Sequence, residues 1–72
     1  MAMIRMARRM REAGFSITEQ KDAYGNPYFC ASKGWVHVDL LLLEIAEDQG
    51  IDPIEVMKSE ISAHVVGHSH VG

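Results

Sequence analysis

The stretch YFCASKGWVHVDLLLL, residues 28–43, contains a candidate hairpin followed directly by a candidate helix. If Lys33 and Gly34 form a two-residue loop, Ala31 faces Val36 and Cys30 faces His37 across the hairpin. One face of the hairpin then holds Phe29, Ala31, Val36 and Val38, and the other holds Cys30, Ser32, Trp35 and His37. Because a slip of one residue would mix these sets, the pattern predicts strands over 28–32 and 35–38. In the alternative interpretation, residues 35–38 already belong to the next helix.

Two helices are predicted after the hairpin. Asp39 suits the N-cap of a helix over 40–49, which Gly50 would end. Asp52 and Pro53 are typical of a second helix start, and apolar residues recur from there at helical spacing as far as Val66. Gly67 is expected to end this helix. The sequence therefore predicts a compact domain over residues 1–66 and a flexible tail over residues 67–72.

The N-terminal part of the chain predicts one more helix and one more strand. Over residues 2–13 an apolar stripe recurs every three or four residues: Met3, Met6, Ala7, Met10 and Ala13. Gly14 suits the end of this helix, and Phe15 and Ile17 then alternate with polar residues as in a half-buried strand. The predicted fold class is α+β, with two to three antiparallel strands, helices packed on one face, and the order α-β-β-β-α-α.

Length and composition limit the classes of protein to which this chain can belong. Its 72 residues form one small domain, and its single cysteine, Cys30, excludes an intramolecular disulfide. No apolar run approaches the roughly 20 residues that a membrane span needs, and no apolar segment typical of a secretory signal follows the first arginines. We therefore expect a soluble cytoplasmic protein with no membrane contact.

The run Leu40–Leu43 is more apolar than one sheet face requires. Successive residues of a helix point about 100° apart, so four leucines surround most of the helix. Either the other helices of the chain cover them, or a second copy does. We expect a homodimer, and the residues assigned to its interface are Leu40, Leu41, Leu43, Met57 and Ile61.

The charges are distributed unevenly along the chain. Residues 1–14 carry four arginines and one glutamate, a net charge of +3, whereas residues 39–61 carry seven acidic residues and one lysine, a net charge of −6. The candidate binding residues for a larger acidic macromolecule, a protein rather than a nucleic acid, are Arg5, Arg8, Arg9 and Arg11. Alternatively, these arginines form ion pairs with the acidic helices or contact phosphates.

Catalytic and metal-binding patterns are weak. Cys30 and His37 would be cross-strand neighbours, the minimum for a thiolate nucleophile, but no oxyanion hole accompanies them. His64, His68 and His70 lack a nearby cysteine or carboxylate that would complete a metal site. The sequence therefore predicts no enzyme, no catalytic residue, no cofactor and no resident metal.

Two resemblances concern nucleic acids. The segment EIAEDQGIDPIEV, residues 44–56, resembles a helix-turn-helix core, with an alanine, three residues and the glycine of the turn. It also resembles the helix pair of the dimeric ribbon-helix-helix repressors. These resemblances imply DNA binding, but the second helix carries Glu55 and Glu60 where a major-groove helix presents Arg, Lys, Asn or Gln.

The α-β-β-β-α order, with REAGF at residues 11–15 before the first strand, is similar to HicA-type toxins. The resemblance implies a fold like that of double-stranded-RNA-binding domains and RNA cleavage. That family carries Gly-Ser-His at the second strand. This chain has Asn26, Pro27 and Tyr28 in that region, so the family's catalytic residue is not carried over.

Taken together, these patterns predict a small non-enzymatic regulator or inhibitor that acts by protein–protein interaction as a homodimer, of the kind common among phage and mobile-element products. The alternative is a nucleic-acid-binding transcriptional regulator that uses the basic N-terminal helix.

Overall fold

Three antiparallel strands and three helices make up the fold in this computed structural model, which describes the backbone of residues 2–71 and the side chains of residues 4–63. The elements are α1 (Ala2–Glu12), β1 (Ser16–Lys21), β2 (Pro27–Lys33), β3 (Val36–Asp39), α2 (Leu40–Asp48) and α3 (Pro53–Val71). The strand order is β1-β2-β3, and the helices pack against the sheet. The predicted α+β class and the order α-β-β-β-α-α are confirmed, and residues 36–39 are a strand rather than part of a helix.

The register of the second hairpin differs from the predicted one. Lys33 pairs with Val36, so the loop consists of Gly34 and Trp35 rather than Lys33 and Gly34. The loop begins with a φ of +60° at Gly34, a conformation that glycine adopts readily and that lysine resists. Trp35 therefore lies in the turn and not on a sheet face. Because the register moves by two residues, Ala31 still shares a face with Val36 and Val38, as predicted.

The core lies between the helices and the face of the sheet that carries Ala31 and Val38. Buried residues from every helix, from β2 and β3, and from the turn after α1 meet there: Met6, Met10, Phe15, Ala31, Val38, Leu40, Leu43 and Met57. Met6 and Met10 of the predicted α1 stripe are thus part of the chain's own core. Flexible methionines suit this role, because they fill irregular space between a helix and a sheet.

Glycine caps redirect the chain at the ends of α1 and α2. Gly14 has a φ of +97°, and the Phe15 N–H donates to the carbonyl of Met10 at 2.9 Å. This is the pattern of a Schellman cap, in which the residue after the glycine packs against the helix it has left. Gly50 has a φ of +82°, and the Ile51 N–H donates to the carbonyl of Ala46 in the same way.

The third helix is longer than predicted. It begins at Pro53, with the Asp52 carboxylate accepting from the Ile54 N–H at 3.0 Å, and it continues through Gly67 to Val71. The predicted helix end before Gly67 is therefore wrong. A glycine inside a helix costs only about 1 kcal/mol relative to alanine, and no proline follows to force an end.

The helices were compared with the length and apolar character of membrane spans. Within the described part of the chain, none of them combines the length and the apolar character that crossing a bilayer requires.

Met57 provides a test of the core. Met57→Ala should lower the free energy of unfolding by about 2–5 kcal/mol, because it removes a fully buried side chain and leaves a cavity. Lys58→Ala is the matched control on the same helix. Its ion pair with Glu55, at 3.3 Å, is exposed, so its effect should stay within about 0.5 kcal/mol. Urea denaturation followed by circular dichroism measures both, and equal losses would contradict this core.

Candidate interaction surfaces

The outward side of α2 is apolar. Leu40 and Leu43 are buried, whereas Leu41 and Leu42 are 55% and 58% exposed. Ile45, which is 44% exposed, follows Leu41 by four residues and Leu42 by three, so it lies between them on the helix surface. We call these three exposed residues, Leu41, Leu42 and Ile45, the α2 outer face.

The α2 outer face differs from the predicted dimer interface. Of the residues assigned to that interface, Leu40, Leu43 and Met57 lie in the core and Ile61 packs partly against it. Most of the surface of these side chains is therefore covered within the chain itself. Leu41 is the predicted interface residue that remains exposed. Leu42 and Ile45 are exposed beside it and were not assigned to the interface, although helical spacing from Leu41 was a signal for Ile45.

Two of the four arginines of α1 form ion pairs within the chain. The guanidinium groups of Arg5 and Arg9 both contact the Glu47 carboxylate of α2, and Arg9 also lies 3.2 Å from Asp52. These pairs hold α1 against the C-terminal end of α2. Because the side chains are partly exposed, each pair contributes about 1 kcal/mol or less to stability.

Arg8 and Arg11 are exposed, and neither forms an ion pair with the side chains of residues 4–63. The predicted cationic surface is thus divided. Arg5 and Arg9 serve the junction between α1 and α2, whereas Arg8 and Arg11 keep their charge available to a partner.

An open groove lies between α1 and the sheet. It has a volume of about 280 Å³, and its walls are Ile4, Ala7, Arg11, Ile17, Phe29 and Leu40. Ile4 and Phe29 are 61% and 47% exposed, so the groove presents apolar surface to solvent. Among the described residues that line it, Arg11 is the charged one. We call this feature the α1 groove.

The other face of the sheet carries a row of hydrogen-bonded side chains. Gln20 Nε2 donates to Thr18 Oγ1 at 3.3 Å, Thr18 Oγ1 lies 2.7 Å from Ser32 Oγ, and Ser32 Oγ lies 2.6 Å from His37 Nδ1. The row crosses from β1 through β2 to β3. It satisfies the buried hydroxyl of Ser32, which would otherwise cost free energy.

The predicted Cys30–His37 pair is not formed. In the observed register Cys30 faces Asp39, and His37 faces Ser32, to which it is hydrogen-bonded. Burial, and then the negative charge of Asp39, raise the pKa of the Cys30 thiol. A raised pKa disfavours the thiolate, which is the nucleophilic form, so this environment works against cysteine chemistry.

Metal-ligating side chains do not converge within residues 4–63, where no group of three or more His, Cys, Asp or Glu residues could hold an ion. The side chains of His64, His68 and His70 lie outside the described residues.

The environment of Cys30 can be tested by alkylation. At pH 8 the folded protein should react with iodoacetamide at least about tenfold more slowly than the urea-unfolded protein, because the folded thiol is buried and its pKa is raised. Asp39→Asn removes the second cause of the raised pKa and should speed the reaction of the folded protein. Mass spectrometry of timed samples gives the rates. A faster reaction in the folded state would instead indicate an activated thiolate.

No model of a known protein family matches the chain, and neither curated proteins nor solved structures gave a match.

Proposed function

We propose that this protein is a small non-enzymatic regulator or inhibitor that acts by protein–protein contact as a homodimer. The observation that carries the proposal is the α2 outer face. Three large aliphatic side chains, Leu41, Leu42 and Ile45, lie together on the side of α2 opposite the core. A contiguous apolar patch on so small a domain favours a protein interface.

We propose that a second copy of the chain covers the α2 outer face. The chain has 72 residues and no disulfide, so its core is small, and association is one of the few ways to bury more apolar surface. Covering the half-exposed side chains of two α2 outer faces contributes on the order of 5 kcal/mol. That is near the lower limit of what association costs, so the dimer needs further contacts beyond these faces.

The charges support contact with an acidic partner. Arg8 projects from α1 without an ion pair among the described side chains, while Glu47 and Asp52 neutralise Arg5 and Arg9. Contact with nucleic acid uses many cations along one surface, and the internal pairs reduce that number. An acidic protein therefore fits the remaining charge better than a nucleic acid, and cytoplasmic action on such a partner is part of this proposal.

The dimer is tested by mass. Light scattering after gel filtration should give about twice the 8.0 kDa of one chain at micromolar concentration. Leu42→Glu should return the mass to that of a monomer, because it places a charge in the apolar contact. Tyr24→Glu is the matched control: Tyr24 is an exposed large residue in the β1–β2 loop, far from α2 in sequence, and its change should leave the mass unaltered. A wild-type mass of one chain would refute the homodimer.

The partner class is tested with two fluorescent probes, an oligoglutamate peptide and a single-stranded oligonucleotide of equal charge. At low salt the peptide should bind more tightly, and Arg8→Glu should weaken its binding by about three- to tenfold, since it reverses one exposed charge. Lys58→Glu, on α3, is the control and should have a smaller effect. Tighter binding of the oligonucleotide with a steep salt dependence would favour the nucleic-acid alternative, and binding of neither probe would refute an acidic partner.

A further inference from the structure

The α1 groove and the α2 outer face are both apolar and exposed, and the charged residue next to each, Arg11 and Asp48, forms no ion pair among the side chains of residues 4–63. We infer that the α1 groove of one copy receives the α2 outer face of a second copy, and that the second copy's Asp48 pairs with Arg11. This inference rests on the proposed homodimer and specifies how its two chains meet.

The groove presents its residues at helical intervals. Ile4, Ala7 and Arg11 follow one another by three and four residues, so they line one side of α1 over about two turns, or roughly 10 Å. Ile17 and Phe29 of the sheet and Leu40 of α2 complete the groove. Along α1 the groove therefore presents an apolar residue, Ile4, then a small one, Ala7, and then a positively charged one, Arg11.

The α2 helix presents the complementary pattern. Leu41, Ile45 and Asp48 follow one another by four and three residues, so they lie on one side of the helix over the same two turns. This side therefore presents two apolar residues and then a negatively charged one. Leu41 can meet Ile4, Ile45 can fit above the small Ala7, and Asp48 can reach Arg11, if α2 of the second copy runs in the same direction as α1.

The charges at the two ends are free to meet. Asp48 and Arg11 are both exposed, and neither takes part in an ion pair among the side chains of residues 4–63. A carboxylate and a guanidinium at the rim of an apolar contact fix the register of association more than they strengthen it. Asp48 thus selects one alignment of α2 in the groove.

Two-fold symmetry makes the contact reciprocal. Leu40 lines the groove and precedes Leu41 of the α2 outer face, so the two surfaces adjoin on each copy. When α2 of the first copy enters the α1 groove of the second, α2 of the second copy enters the α1 groove of the first. Both apolar surfaces are then buried in a closed dimer, which supplies the contacts that two α2 outer faces alone lack.

A charge exchange tests the contact directly. The dimer dissociation constant is measured by sedimentation for the wild type, Arg11→Asp, Asp48→Arg and the double variant. Each single variant should weaken dimerisation by about tenfold, because it places like charges together, and the double variant should restore it to within about threefold. Lys58→Asp, an equal reversal of charge at an exposed position on α3 outside both surfaces, is the matched control and should leave dimerisation unchanged. Circular dichroism checks that each variant is folded.

A second variant tests the groove itself. Ile4 is exposed, so Ile4→Glu should leave the fold intact and weaken the dimer by about tenfold or more. If Leu42→Glu dissociates the dimer but the Ile4, Arg11 and Asp48 variants do not, the homodimer stands and the groove contact is overturned. Single variants that weaken the dimer without rescue by the double variant would overturn the Arg11–Asp48 pairing. A monomeric wild type would instead refute the proposed function.

Discussion

Asp39 is both the last residue of β3 and the N-cap of α2, and much of the molecule depends on this junction. Its backbone pairs with Cys30 of β2, while its carboxylate accepts a hydrogen bond from the Leu41 N–H at 2.9 Å. No loop separates the strand from the helix, so the direction of α2 follows from the end of the strand. The cap also fixes the residue at which the helix begins. Leu40 and Leu43 enter the core, and Leu41 and Leu42 must therefore face solvent.

The sequence predicted those features that depend on local periodicity. The alternation of Phe29, Ala31 and Val38 identified the core face of the sheet even though the loop was misplaced, because the error was an even number of residues. The glycine caps and the Asp39 and Asp52 N-caps were also predictable, since each depends on a few neighbouring residues. Gly67 was misread because a glycine weakens a helix without ending it.

The candidate surfaces were harder to predict, because they depend on how distant elements meet. The sequence shows four arginines on α1, but not that Arg5 and Arg9 reach Glu47 across the packed helices. Likewise it shows four leucines, but their division into two inward and two outward residues requires the phase of α2. The α1 groove combines residues from two helices and two strands, and no local pattern could reveal it.

The row of hydrogen-bonded side chains on the sheet face opposite Ala31 and Val38 has a consequence for which atom donates in each bond. Ser32 has one hydroxyl proton and two neighbours, Thr18 and His37, each within hydrogen-bonding distance. If His37 Nδ1 lacks a proton, Ser32 donates to it and must accept from Thr18; if Nδ1 carries a proton, Ser32 accepts from it and its own proton becomes free for Thr18. The tautomer of the His37 imidazole on β3 therefore restricts the orientation of the Thr18 hydroxyl on β1, on the far side of β2.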